Sequence, residues 1–345
     1  MASDANFDLA QWQVHETETD CALVFRSTSG QVFYCHIWPE NFVQSPTVEE
    51  QYYKCLEILR TGEVEIDGFY EEDAYDWLFQ CFKPLIDELV KAYGINAIAH
   101  PTLADYIFPK QSYNLQLGAV DNELKPLVVK TTDHGWSRPA VKVDDDFVSE
   151  LDQWTRSYTP SEVHLCYDRP HGSLVKIPKR TFVIGEEEKP IVCFSKRFGL
   201  SFGSSHAKKE LETMKKITQA RFPSQPKAFI CQLVGVVRQK NELFGMLFAW
   251  IDAKSVLSKA TAAKSPVPLR QRWLSQINTS VQRLHENGII WGDVKAENVL
   301  IDKNENAWII DFGGGYTPGW VDADKAGTLE GDFQGMKKIS EMLCH

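Results

Sequence analysis

The sequence has no Cys-x-x-Cys pair; its eight cysteines stand apart at 21, 35, 55, 81, 166, 193, 231 and 344. That spacing excludes a zinc ribbon and a dithiol redox site. Cys35, Cys193 and Cys231 sit within apolar runs, where a thiol reads as a small buried hydrophobe in a reducing compartment. Long hydrophobic runs are also missing. The most apolar window, Gly245 to Ile251, is far too short to span a bilayer. The N-terminal MASDANFDLAQWQ is acidic and has no basic segment followed by an apolar one, which excludes a signal peptide. Positive charge is in deficit, with 37 Lys and Arg against 47 Asp and Glu and a formal charge of -10. Such a chain is not a nucleic-acid binder as a whole. These absences predict an intracellular protein, cytoplasmic or nuclear, with neither a membrane nor a nucleic-acid partner.

At 345 residues and 43% hydrophobic composition, the chain is long enough and apolar enough for two ordinary cores. Residues 1–130 mix element types. Phe25 to Trp38 alternates around Ser29-Gly30 as a hairpin would. Glu49 to Leu59 has helix spacing, and so does Trp77 to Tyr93, where Pro84 should kink or restart the helix and Gly94 should stop it. Residues 131–160 are richer in loop formers, including Asp133-His134-Gly135 and Asp144-Asp145-Asp146, and read as a linker. Three adjacent carboxylates could hold a hard cation, but they also suit a solvated helix start. From Ser161 the texture turns β-rich. Strand candidates are Val163–Tyr167, Arg180–Ile184 and Pro190–Phe194, then, after a polar helix His206–Gln219, Ala228–Val237 and Phe244–Trp250. Leu269 to Glu286 is an amphipathic helix with Trp273, Leu274, Ile277, Val281 and Leu284 on one side.

The chemistry concentrates in residues 291–302, WGDVKAENVLID. The apolar runs Val299–Ile301 and Trp308–Ile310 flank a polar turn and read as a small hairpin. Such a hairpin can bring Asp293, Asn298 and Asp311 to one mouth of the core. Two carboxylates and an amide oxygen are hard ligands suited to Mg²⁺, and a carboxylate left free of metal could take a proton from an attacking hydroxyl.

With its Asp-x-Lys-x-x-Asn order at Asp293, Lys295 and Asn298, this segment resembles the catalytic loop of eukaryotic protein kinases. Asp311-Phe312-Gly313 resembles their metal-binding motif at the family's interval. The likeness covers roughly residues 161–345 and is closest to fungal kinase-like proteins that carry an extra N-terminal region. It implies an α+β, two-lobed kinase-like fold. A small β-rich N-lobe would span about 161–252 and a truncated helical C-lobe about 253–345, after a mixed α/β N-terminal region. It further implies that Lys196 grips the α- and β-phosphates of ATP and that Glu210 pairs with it, Glu212 being the alternative partner. Phe248, Ala249 and Trp250 would meet the adenine edge. Asn298 and Asp311 would hold Mg²⁺, Asp293 and Lys295 would act in catalysis, and Asp332 would hold the catalytic loop in shape.

Four features depart from the family pattern. Trp291-Gly292 stands where His-Arg is usual, which argues against activation by loop phosphorylation. Asp168-Arg169-Pro170-His171-Gly172-Ser173 carries one glycine rather than a glycine-rich loop. Phe194 lies two residues before Lys196, where a small residue normally covers the adenine, unless the strand register differs by one. The later C-lobe helices are missing, so the C-lobe is either minimal and supported by the N-terminal region, or truncated.

The expected function is ATP- and Mg²⁺-dependent transfer of the γ-phosphate to a Ser/Thr hydroxyl of a protein. The alternatives are a pseudokinase scaffold with weak or no turnover and, against the evidence of Lys295, a small-molecule kinase.

Overall fold

The computed structural model describes residues 6–94, 98–130, 136, 140–168, 173–185, 187–198 and 204–344. Asp133-His134-Gly135 and residues 169–172 of the single-glycine stretch lie outside them. The chain forms two compact units, residues 1–137 with 161–178, and residues 138–160 with 179–345.

The first unit is built from β1 (Phe7–Val14), β2 (Cys21–Ser27), β3 (Val32–Val43), α1 (Pro46–Thr61), the short pair β4 (Glu65–Ile66) and β5 (Phe69–Tyr70), α2 (Glu71–Tyr93), α3 (Leu103–Ile107), β6 (Ser112–Val120) and β7 (Glu123–Val129). Its sheet runs β1-β2-β3-β6-β7, antiparallel except for β3 against β6. The hairpin read at 25–38 is β2–β3, turning at Gly30 with φ +85°. Period-two residues Leu23, Phe25, Phe33, Cys35, Ile37, Leu115 and Leu117 are buried against Tyr52 and Leu56 of α1 and Leu78 and Phe82 of α2. Pro84 does not restart the helix: α2 continues through it. Buried residues lie on both sides of it, Cys81 and Phe82 before and Ile86 and Val90 after. Packing therefore offsets the lost backbone bond, which costs about 3 kcal/mol in an exposed helix.

The chain next enters the second unit with β8 (Val141–Lys142), α4 (Asp145–Leu151) and β9 (Ser157–Tyr158). This corrects the linker reading of 131–160. Val141, Val143 and Leu151 are buried core residues, and Asp144 is a helix cap whose carboxylate accepts from the Phe147 N–H at 2.8 Å. The triple aspartate is a helix start, with Asp144 at the cap and Asp145 and Asp146 in the first turn of α4.

The stretch read as a strand at 163–167 yields only β10 (His164–Leu165), and it belongs to the first unit. There Leu103 N–H donates to the Val163 carbonyl and Leu165 N–H to that of Pro101.

The remaining elements are β11 (Arg180–Ile184), β12 (Pro190–Arg197), α5 (Ser204–Gln219), β13 (Leu233–Gln239), β14 (Glu242–Ala249), β15 (Ala253–Val256), α6 (Lys259–Ala263), α7 (Val267–Glu286), β16 (Val299–Asp302), β17 (Ala307–Ile309) and α8 (Leu329–Cys344). The main sheet of this unit runs β11-β12-β14-β13-β9, with β8 also on β14. A three-stranded sheet, β15-β16-β17, carries the hairpin read at 299–310. The α7 stripe buries Trp273, Ile277, Val281 and Leu284. Both units mix helices and strands, so the fold is α+β. No described helix is long and apolar enough to cross a membrane.

Candidate active site

Two polar clusters form in the second unit. The first is on Lys196, which lies on β12 opposite Met246 of β14. Its Nζ donates to Glu210 Oε1 at 2.6 Å and to Asp311 Oδ1 at 2.8 Å. Glu210 rides on α5 beside Ala207, Leu211, Met214 and Ile217, all buried, and is itself only 2% exposed. Glu212, the other candidate, faces solvent. Burial by itself lowers the pKa of the Lys196 ammonium, but the carboxylates of Glu210 and Asp311 outweigh it and carry the pKa above the usual lysine value. Asp311 adopts φ +63°, a left-handed conformation that aspartate tolerates better than most residues and that is concentrated at functional sites.

The second cluster surrounds Asp293. Its Oδ2 forms an ion pair with Lys295 Nζ at 2.7 Å and accepts from Asn298 Nδ2 at 2.9 Å. Asn298 Nδ2 also donates to the Asp293 backbone carbonyl at 2.9 Å. Thr317 closes a ring: its hydroxyl donates to Asp293 Oδ1 at 3.2 Å and accepts from Lys295 Nζ at 3.0 Å. Gly315 backs onto this carboxylate so closely that a Cβ there would lie 3.4 Å from the Asp293 Cγ.

The hairpin joins the clusters. The Ile310 N–H donates to the Asn298 carbonyl at 3.0 Å, which ties the residue before Asp311 to the Asp293 loop. Trp291, fully buried, donates its indole N–H to the Ile310 carbonyl at 2.9 Å. Asp332, 1% exposed on α8, accepts the Trp291 and Gly292 N–H groups at 2.8 Å each and pairs with His285 Nε2 at 2.8 Å. Gly292 has φ +84°, and a Cβ there would lie 3.4 Å from the Gly314 Cα.

The donor set fits a hard cation. Asn298 uses its amide nitrogen on Asp293, which leaves its amide oxygen as the ligand atom, and Asp311 keeps 41% of its side chain exposed while paired with Lys196.

At the expected adenine edge, Phe248 is buried and Trp250 is exposed. The Ala249 N–H is bonded to the Gln232 carbonyl at 2.9 Å and that of Trp250 to the Val192 carbonyl at 3.0 Å. Thus Lys196, Glu210 and Asp311 meet, Asp293, Lys295 and Asn298 meet, and Asp332 reaches the loop. The amides of Ala249 and Trp250 are spent within the sheet.

Sequence reasoning missed Thr317 and His285. Thr317 lies 24 residues beyond Asp293 in a glycine-rich stretch with no periodic signal, and His285 looks like an ordinary helix-end histidine.

Comparison with known proteins agrees with this geometry. The family described as protein kinase domain matches residues 196–317. Over that segment the chain is protein kinase-like. The chain is similar to the serine/threonine-protein kinase PKH3 of Eremothecium gossypii, 27% identical over 165 residues, or 46% of this chain and 19% of that protein. It is also similar to the CBL-interacting serine/threonine-protein kinase 19 of Arabidopsis thaliana, 24% identical over 144 residues, or 41% of this chain and 28% of the relative. A probable serine/threonine-protein kinase KIN1 homolog of Encephalitozoon cuniculi is 42% identical over 85 residues, 23% of this chain and 15% of that protein. The chain thus spans less than a third of the length of each of these relatives.

Proposed function

We propose that the second unit transfers the γ-phosphate of ATP to a Ser or Thr hydroxyl of a protein substrate, in a reducing intracellular compartment that suits its free cysteines. The observation that carries this reading is the pairing of Lys196 with both Glu210 and Asp311. An ammonium held beside a carboxylate in this way supports a phosphate-binding role for Lys196. Asp293 orients the acceptor hydroxyl and takes its proton, and Lys295 neutralises charge on the transferring group. Asn298 and Asp311 would hold Mg²⁺, which supplies charge neutralisation on the phosphates when bound. Asp332 keeps the loop at 291–293 in shape through its two carboxylate oxygens, which accept the Trp291 and Gly292 N–H groups. Catalysis on this scheme is positioning plus electrostatics, with no covalent intermediate on the protein.

A second reading, a binding scaffold with little turnover, draws on Phe194 and on the spent amides at 249 and 250. One experiment separates the two. Saturating Mg·ATP, at 100 times its dissociation constant, should raise stability by about 2.7 kcal/mol. Labelled phosphate should enter a generic protein substrate, and Asp293→Ala should abolish incorporation while leaving the melt largely intact. A shift without incorporation favours the scaffold; neither signal refutes nucleotide use.

A further inference from the structure

Phe194 stands two residues before Lys196 on β12, and side chains two apart on a strand share one face. The register is settled by Lys196 itself, whose ammonium reaches Glu210 and Asp311. Phe194 therefore projects on the side of the sheet that carries the phosphate-binding lysine. Its partner across the ladder is Phe248 of β14, and opposed residues of an antiparallel pair also share a face. Phe248 is buried in the core of this unit, and Phe194, half-buried, packs against that same core. Two phenyl rings thus lie on the Lys196 side of the sheet, the second of them next to residues 249–252 in the chain.

The backbone of that segment is already engaged. Besides the amides of Ala249 and Trp250, the Ile251 carbonyl accepts from the Ala253 N–H at 2.7 Å and the Asp252 carbonyl from the Lys303 N–H at 3.1 Å. A nucleobase arriving here meets an aromatic ring in its volume and a hydrogen-bonding edge much of which is spent.

We infer that Phe194 occupies the base-binding end of the cleft, so that a bound nucleotide is held by its phosphates and gains little from its base. This rests on the nucleotide-site reading above. Lys196, Asn298 and Asp311 supply the affinity, and Phe194 is the residue that sets how much the base can add.

The test is titration calorimetry on the full chain with Mg·ATP and with Mg·tripolyphosphate, whose ratio of affinities measures the contribution of the base. In the unaltered protein the two bind within about threefold of each other. Phe194→Ala tightens Mg·ATP by about tenfold or more and leaves tripolyphosphate unchanged. Phe194→Val, a strand-compatible side chain, gives the same direction if the alanine variant does not fold. A preference for ATP of about tenfold or more in the unaltered protein overturns the inference, and so does a failure of folded variants to gain. If neither triphosphate binds any of these proteins and Lys196→Met changes nothing, the nucleotide site itself is refuted, and the inference with it.

Discussion

Lys196 of β12 and Glu210 of α5 meet at 2.6 Å, a contact between a strand and a helix. The glutamate is buried and the lysine 29% exposed, so the pair fastens one side of α5 to the sheet. Removing the glutamate leaves the ammonium with Asp311 alone. Glu210→Ala should therefore cost about 2 kcal/mol, less than the 3–5 typical of an orphaned buried charge, and should weaken Mg·ATP binding. Denaturant melts and nucleotide titration check both effects.

Asp332 carries a buried charge that accepts from two backbone N–H groups and faces His285. Asp332→Ala leaves both donors unpaired, and the expected loss is about 3 kcal/mol. Asp332→Asn keeps one acceptor and should lose less, so the order of melting midpoints is unaltered, Asn, Ala.

Thr317 is the residue that bridges Asp293 and Lys295. Thr317→Val keeps the shape and removes the hydroxyl. Turnover should fall about tenfold, the equivalent of one hydrogen bond of about 1.4 kcal/mol, with nucleotide affinity unchanged. Steady-state kcat beside a binding titration distinguishes this from a loss of fold.

Gly292 needs its left-handed backbone and its closeness to Gly314. Gly292→Ala should destabilise by about 1–2 kcal/mol through φ strain. A glycine there offers no guanidinium to a phosphorylated loop. Phosphatase treatment should leave turnover within about twofold of the untreated protein, which a paired kinase assay reads directly.

Burial pushes the thiols of Cys21, Cys55 and Cys231 up to about 12 from an ordinary 9.0. In each case the folded value lies above the unfolded one. The stability this confers is complete below pH 9.0, and it is lost as pH climbs toward about 12, because the unfolded chain ionises first. Midpoints of denaturant unfolding should fall across that range. At pH 8 an alkylating reagent should modify exposed Cys344 in the native protein and reach Cys231 only after unfolding.

Much of the site was legible because its parts lie close together in the chain. Asp293, Lys295 and Asn298 fall within six residues, and the apolar runs on either side announce a hairpin that returns to Asp311. The face of α5 was legible too, since Met214 and Ile217 place Glu210 inward and Glu212 outward. Thr317 and His285 were not, because each gains its meaning from a partner more than twenty residues away. The unit boundaries failed for a related reason. Residues 141–142 and 157–158 are too short to look like strands, and become so only by pairing with β14 and β13.

Local order alone determined α1, α5 and α7, the hairpin at 299–309 and the identity of the charged groups beside it. Hydrophobic periodicity and turn chemistry act between near neighbours, and one chain segment contains all they need. Tertiary structure decided which carboxylate Lys196 would take, that Thr317 would join Asp293, and that Phe194 would share a face with Lys196. Those outcomes depend on sheet register and on the packing of α5, α7 and α8, which set distances between side chains that the linear order leaves open.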